Sequence, residues 1–227
     1  MEKETVVISL GGSLIIPNEI DVSFLKDFKE LILSFVQQNK RFVLITGGGK
    51  ICRKYNEAAT QISNIKNDEL DWLGIYSTRF NAEFVKLIFS EHADKDIILD
   101  PMLPLSSEKP ILVGGGWKPG NSTDLVAVSI AKNIRAKKII NLSNTDYVYD
   151  KDPRTNPDAK KIEKISWAEY RKLIPEEWNP GLNSPFDPIA SKIAEEEGIT
   201  VMTMNGNPID NLANALLGKE FLGTTIY

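Results

Sequence analysis

The residues with the clearest chemical potential are glycines. Three times an apolar run stops at a glycine cluster and a helical pattern follows. Ile8-Ser9-Leu10 runs into Gly11-Gly12-Ser13, Val43-Leu44-Ile45-Thr46 into Gly47-Gly48-Gly49, and Ile111-Leu112-Val113 into Gly114-Gly115-Gly116, the last extending to Gly120. Glycine lets a backbone approach another group closely and take positive φ. The amides that open the following helix have no carbonyl of their own helix to bond, so they are ready anion donors. A single loop of this kind is equally well explained as a tight strand-to-helix turn. Three of them on one sheet edge point to a site that handles several phosphate groups, as phosphoryl transfer requires.

Other polar residues fall near these clusters. Arg53 lies in the first helical turns after the second one, where a guanidinium can grip an anion with two parallel hydrogen bonds. The bland alternative is a solvated helix arginine. Ser122 and Thr123 stand at a helix start and suit either a phosphate contact or an N-cap. His92, the only histidine, follows a long helical pattern outside every glycine loop and reads as a helix C-terminal residue rather than a base. The P-loop, the G-x-G-x-x-G fingerprint and the protein-kinase signatures are all missing, so phosphoryl transfer here would belong to another lineage.

The elements that must carry these loops alternate. Strands are expected at 5–10, 41–46, 97–99, 110–113, 138–142 and 199–204, with 223–227 as an edge strand. Helices are expected over Val22–Gln38, capped by Asp21, then from Ile51, over 69–91, 122–133, 166–173, 187–197 and 208–217. Phe24, Leu25, Phe28, Leu31, Ile32, Phe35 and Val36 give the first long helix its apolar stripe. Residues 150–165, rich in Asp, Pro and Lys, read as a surface excursion. Alternating strands and helices imply an α/β fold with a mostly parallel sheet covered on both faces. Right-handed crossovers then gather the strand C-termini, and with them the glycines, along one edge.

Composition narrows the partners. A formal charge of -4 and the lack of any long Lys/Arg block argue against a nucleic-acid surface, so positive potential has to be made locally by helix starts, placed cations and metal. The one cysteine, Cys52, leaves no intrachain disulfide to form. No signal-peptide layout or membrane-length apolar run is evident, and a cytoplasmic location is expected. The length suits one domain over 1–227, with a soft lobe boundary at the proline cluster Pro101, Pro104 and Pro110, giving lobes of 1–105 and 106–227.

Taken in order, the motifs resemble the amino acid kinase superfamily and, within it, the archaeal-type UMP kinases. They are Ile8-Ser9-Leu10-Gly11-Gly12-Ser13; Gly47-Gly48-Gly49-Lys50 with Arg53 and Tyr55; and Asp71-Trp72-Leu73-Gly74-Ile75 with Thr78-Arg79-Phe80-Asn81-Ala82. After these come Pro119-Gly120-Asn121-Ser122-Thr123-Asp124, then Ser143-Asn144-Thr145-Asp146-Tyr147-Val148-Tyr149 with Asp152-Pro153. Asp187-Pro188-Ile189-Ala190-Ser191-Lys192-Ile193 and Gly223-Thr224-Thr225-Ile226 close the set. The resemblance covers nearly the whole chain. It implies a three-layer α/β/α sandwich, an acceptor lobe and an ATP lobe, the reaction ATP plus UMP giving ADP plus UDP with Mg²⁺, and a homohexamer.

Residue by residue, the resemblance implies that Gly12 and Ser13 approach the transferring phosphate. Gly12, Ser13, Gly49, Arg53, Ser143, Asn144, Tyr149 and Asp152 match ATP-site positions, with Tyr149 flanking adenine. Gly48, Asp71, Trp117, Lys118, Pro119, Gly120, Asn121, Ser122 and Thr123 match UMP-site positions. Asp71 corresponds to the contact with the ribose, and 117–123 to a loop that closes over UMP. Gly12, Ser13 and Arg53 are the catalytic candidates, and no residue is assigned to the metal. The chain departs from the family pattern at four places, one of them a short lobe connection over residues 92–109. Ser9 stands where many members carry a lysine, with Lys50, Lys118 and Lys192 as candidate replacements. Tyr147 occupies a glycine position and would be strained if that backbone needed positive φ. Asn121-Ser122 replaces a commoner His-Thr. Two alternatives therefore stay open: another small acid or phosphate as acceptor, and a nucleotide-binding relative without catalysis.

Overall fold

The computed structural model describes residues 4–176 and 184–227. Its chain order begins β1 (Thr5–Leu10), α1 (Gly12–Ile15), α2 (Val22–Gln37), β2 (Arg41–Thr46), α3 (Gly49–Ile62), α4 (Asn67–Phe89) and β3 (Ile111–Gly114). It continues with α5 (Thr123–Asn133), β4 (Lys138–Ser143), β5 (Val148–Tyr149), β6 (Lys161–Ile162), β7 (Lys164–Ile165), α6 (Trp167–Tyr170), α7 (Pro188–Glu196), β8 (Thr200–Asn205), α8 (Ile209–Leu216) and β9 (Thr224–Ile226).

Seven strands form one sheet in the order β3-β2-β1-β4-β8-β9-β7. The five central and left-hand strands run parallel, with Leu10 level with Thr46 and with Leu142, and Ile45 level with Gly114. β9 pairs antiparallel with β8, and β7 runs parallel to β9, so these two strands oppose the other five. The strand order reverses direction between β1 and β4, which is where ligands bind in open sheets of this kind. All three glycine clusters leave the C-terminal edge of the sheet, the first beside this switch and the other two from the neighbouring β2 and β3.

The sheet is covered on both faces, and the α/β/α sandwich expected from the pattern is what forms. On one face Phe24, Phe28 and Ile32 of α2, Val85 and Phe89 of α4 and Leu212 of α8 pack against Ile8, Leu44 and Ile140. On the other, Val126 and Ile130 of α5, Trp167, Tyr170 and Ala190 pack against Val7, Val43 and Ile139. Alternate residues of β1 and β2 thus serve opposite faces, as period-two strands dictate. Each core draws on residues from both sides of position 105. Asp21 caps α2 by accepting the Phe24 amide at 2.9 Å, as its type and place predict.

Four expectations need correction. Residues 97–99 do not form a strand; Ile98 makes one parallel bridge to Gly114, because the chain merely brushes the edge of β3. The last strand is not an edge: β9 lies between β8 and β7, and the excursion at 150–165 returns to supply the edge itself. Tyr147 stays out of the left-handed region, which among the described non-glycine residues only Asn39 and Arg135 enter; a side chain there is therefore unstrained. Trp72, which by its sequence reads with Trp167 and Trp178 as a packing residue rather than a stacking platform, is 39% exposed and stacks on Tyr76 instead. Trp167 does pack, with its indole N–H donated to the Ile199 carbonyl at 3.0 Å. Trp178, read in the same way, lies outside the described residues.

Candidate active site

The first two glycine loops meet backbone to backbone. The Gly47 amide donates to the Leu10 carbonyl at 2.9 Å, and the Gly11 amide donates to Leu142 at 2.8 Å, tying β1's exit to both neighbouring strands. A Cβ on Gly12 would stand 2.0 Å from the Gly49 nitrogen, and one on Gly49, whose φ is +70°, would stand 2.5 Å from the Gly12 oxygen. Only glycine fits either place. These glycines thus do more than admit a phosphate: they let two helix starts share one spot. α1 begins at Gly12 and α3 at Gly49, so the first-turn amides of both are brought together. Ser13 lies on α1. Arg53 is one turn into α3, exposed, and makes no hydrogen bond or ion pair with the described residues.

The third loop is held differently, by side chains of α4. Arg79 donates from Nε to the Gly116 carbonyl at 3.0 Å and from Nη2 to the Trp117 carbonyl at 2.7 Å. Thr78 accepts the Gly116 amide at 2.6 Å, and its own carbonyl accepts the Thr46 hydroxyl. Asn81 donates to the Gly47 carbonyl at 2.8 Å. Asp71, a turn or two earlier, accepts the Gly120 amide at 2.6 Å. One helix therefore positions two glycine loops at once. Arg79 and Asn81 acquire a definite role as loop anchors, and Thr78 is a hub that sequence reading missed. A threonine inside a helix carries no visible signal, because nothing in its neighbours says where its hydroxyl goes.

Within the 117–123 loop the Lys118 ammonium sits 3.9 Å over the Trp117 ring, and Asn121 bonds to the Pro119 carbonyl. Gly120 has φ +79° and open space around its absent side chain. Ser122 caps α5 by accepting the Leu125 amide at 3.1 Å, and Thr123 begins the helix, so the capping reading of Ser122 is realised. Of the candidate replacement cations, Lys50 donates to Asn18, Lys118 rests on Trp117 and Lys192 is exposed on α7.

Beneath these loops lies a pair of carboxylates. Ser9 donates its hydroxyl to Asp124 Oδ1 at 3.2 Å, and the Asp187 amide donates to Asp124 Oδ2 at 3.2 Å. Asp124 sits deep among protein atoms, although an edge of the residue still meets solvent. Burial, followed by repulsion from Asp187, pushes its carboxyl up to about 7. Asp187 is 3% exposed and caps α7 through Oδ1, which accepts the Ala190 amide at 2.7 Å. Burial raises its carboxyl too. The tie is invisible in sequence because Asp124 and Asp187 are 63 residues apart.

Past β4 the donor-side candidates spread out. Ser143 accepts the Thr145 amide, while Asn144 is exposed and Tyr149 half-buried on β5. Asp146 accepts the Asn205 amide group at 2.8 Å. Asp152 lies farther out in an exposed turn, where Arg154 bonds both its oxygens at 3.0 and 2.8 Å. That pairing holds its carboxyl below the usual range. Among the described residues no group of three or more His, Cys, Asp or Glu could hold a metal ion. Such a site fits a Mg²⁺ held by nucleotide phosphates and water rather than by a protein cage. Among them, too, no helix is long and apolar enough to cross a membrane.

A sequence profile described as the amino acid kinase family matches residues 4–205, nearly the full sheet and all three loops. The chain belongs to the amino acid kinase family. It is 33% identical over 224 residues to the uridylate kinase of Pyrococcus abyssi, covering 97% of this chain and 98% of that one. The uridylate kinase of Hyperthermus butylicus is 31% identical, with 100% and 99% covered. Among solved structures of the family, the uridylate kinase of Archaeoglobus fulgidus superposes with a TM-score of 0.83 at 32% identity, over 98% of this chain and 99% of that one. The UMP kinase of Bacillus anthracis, 20% identical with a TM-score of 0.76 over 100% and 96%, shares the fold.

Proposed function

We propose that this amino acid kinase transfers the γ-phosphoryl group of ATP to UMP. A phosphate oxygen of UMP attacks the γ-phosphorus, the bond to the β,γ-bridging oxygen breaks, and ADP and UDP result. The observation that carries the reading is the meeting of the Gly11-Gly12 and Gly47–Gly49 loops at the switch between β1 and β4, with the 114–123 loop tethered beside them. It supports phosphoryl transfer; the uridylate kinases similar over full length support UMP as the acceptor.

The acceptor oxygen is already anionic, so no strong base is needed. Catalysis rests on alignment and on donors aimed at the charge that develops. In this reading Gly12 and Ser13 supply backbone donors to the transferred group, with Gly49 beside them, and Arg53 clamps phosphate. Ser143, Asn144, Tyr149 and Asp152 serve the nucleotide side. Gly48, Asp71 and the loop Trp117-Lys118-Pro119-Gly120-Asn121-Ser122-Thr123 serve UMP. Mg²⁺ supplies charge neutralisation to the phosphates when bound. Residues 1–105 are the acceptor half and 106–227 the ATP half of one domain.

The reading extends to a homohexamer in the cytoplasm, with a place in pyrimidine nucleotide synthesis. Exposed Trp72, Tyr76 and Phe80 recur one helical turn apart on α4 and support subunit contact there. A coupled ADP-release assay with ATP, Mg²⁺ and a panel of nucleoside monophosphates and small acids tests the whole. Turnover confined to UMP is expected; turnover with another acceptor alone, or none with any, overturns it.

A further inference from the structure

The Asp124–Asp187 pair has more negative charge than its surroundings can balance. Four carboxylate oxygens are present. Asp124 Oδ1 takes the Ser9 hydroxyl, Asp124 Oδ2 the Asp187 amide and Asp187 Oδ1 the Ala190 amide. The fourth, Asp187 Oδ2, is buried with no hydrogen-bond partner, although the Ser122 hydroxyl stands beside that carboxylate. Among the described residues no lysine or arginine is one of the groups that act on either acid. The position on β1 that faces Asp124 carries a hydroxyl, Ser9, and not an ammonium. Among the described residues the other titratable group facing the pair is Tyr170 of α6, whose hydroxyl is committed to the Phe186 carbonyl at 2.8 Å. The starts of α5 and α7 favour the charged forms. Burial and mutual repulsion oppose them, and two uncompensated charges this close do not coexist cheaply.

We propose that Asp124 and Asp187 form a one-proton positioning unit, in which a single shared proton takes the place of a counter-cation and ties the end of β1 to the starts of α5 and α7. Asp187 Oδ2, the oxygen without a donor, is the atom that makes room for it. Because the pair couples two acids, the proton belongs to both rather than to a named one. Raising the pH removes it to water, breaks only an O–H bond, and leaves a second negative charge under the phosphate-binding loops. The unit is a property of the free chain. Only its consequence for nucleotide binding rests on the proposed kinase activity.

The sign of the stability effect follows. Burial raises the folded-state Asp124 carboxyl to about 7, against about 3.9 in an unfolded chain. Between these values the folded state holds more protons, so this group's contribution to stability is fully present near pH 4 and declines as pH rises towards 7. Asp124→Asn, an amide that mimics the protonated acid, removes this slope. The midpoint of thermal unfolding of the wild type relative to the variant is expected to drop by roughly 5 °C between pH 5 and pH 8, without substrate present. A gap that stays constant over that range overturns the proposal.

If Asn at 124 does not fold, infrared spectroscopy of the wild type decides. A protonated-carboxyl band present at pH 6 and lost by pH 8 supports the unit, and no such band at pH 6 overturns it. A rise in wild-type midpoint on adding Mg²⁺ without nucleotide, missing in Asp124→Asn, would mean that a metal ion occupies the pair, which also overturns the proton. The functional arm is ATP affinity, expected to fall on the order of tenfold more from pH 6 to pH 8 in the wild type than in the variant. A slope in stability without any UMP turnover would leave this unit standing while the proposed activity fell.

Discussion

A methyl group added at Gly12 would meet the Gly49 backbone at 2.0 Å, whereas one added at Gly120 would meet nothing within 4 Å. Both glycines belong to loops at the same sheet edge. Around Gly12 the constraint is space, imposed by a second backbone. Around Gly120 the constraint is conformation alone, a φ of +79° on a loop suspended from α4 by Arg79, Thr78 and Asp71. Two contacting backbones resist displacement; side-chain tethers can lengthen and reform. On the proposed reading the rigid cradle serves the phosphates being exchanged and the adjustable cover serves the acceptor, a division that suits chemistry needing both alignment and exclusion of water.

The sharpest way to break this comparison is Gly12→Ala. Its Cβ has no flexible neighbour to push aside, so a loss of at least ~3 kcal/mol of stability or a collapse of turnover by ~1000-fold is expected, read by denaturant unfolding and steady-state kinetics. Near-normal behaviour would mean the cradle is soft. Next is Arg53→Ala. The side chain is exposed, so stability should stay within ~0.5 kcal/mol, while kcat/KM should fall roughly 100-fold if the guanidinium grips phosphate. Unchanged UMP kinetics would remove the clamp.

Arg79→Ala tests the tether. It strands the Gly116 and Trp117 carbonyls, and a rise in the KM for UMP of about tenfold is expected with a smaller change in kcat. An effect on kcat as large as that of Gly12→Ala would erase the distinction between cradle and cover. The smallest effect belongs to Gly120→Ala. A left-handed alanine costs about 1 kcal/mol, and the KM for UMP should rise only a few-fold.

Much of this was legible beforehand, and the exceptions share a cause. The Phe24-to-Val36 stripe and the Arg41–Thr46 run announce themselves because a helix or strand writes its own period into neighbouring residues. The three glycine clusters did the same for the site. Gly12 against Gly49 was not legible as a packing contact, because glycine's absence of a side chain looks alike whether the space is left for a ligand or taken by another loop. Thr78, and the Asp124–Asp187 pair, depend on partners brought together only by the sheet. The excursion at 150–165 concealed two short strands, β6 and β7, since two-residue strands are too brief to show alternation.

The place of β9 has a consequence for how the chain reaches its fold. Thr224 donates its hydroxyl to the Ile162 carbonyl, 62 residues earlier, and accepts the amide of Val148, 76 residues earlier. β7 finds its sheet neighbour only in β9. During vectorial synthesis the segment from β5 to β7 can therefore pair only within itself, as β5 with β6, and cannot dock on the main sheet through β7 until residues 224–226 emerge. Its docking is among the most non-local events in the chain and so among the latest. A ribosome paused before residue 224 should carry a nascent protein whose β1, β2 and β4 resist protease while 148–165 is cut.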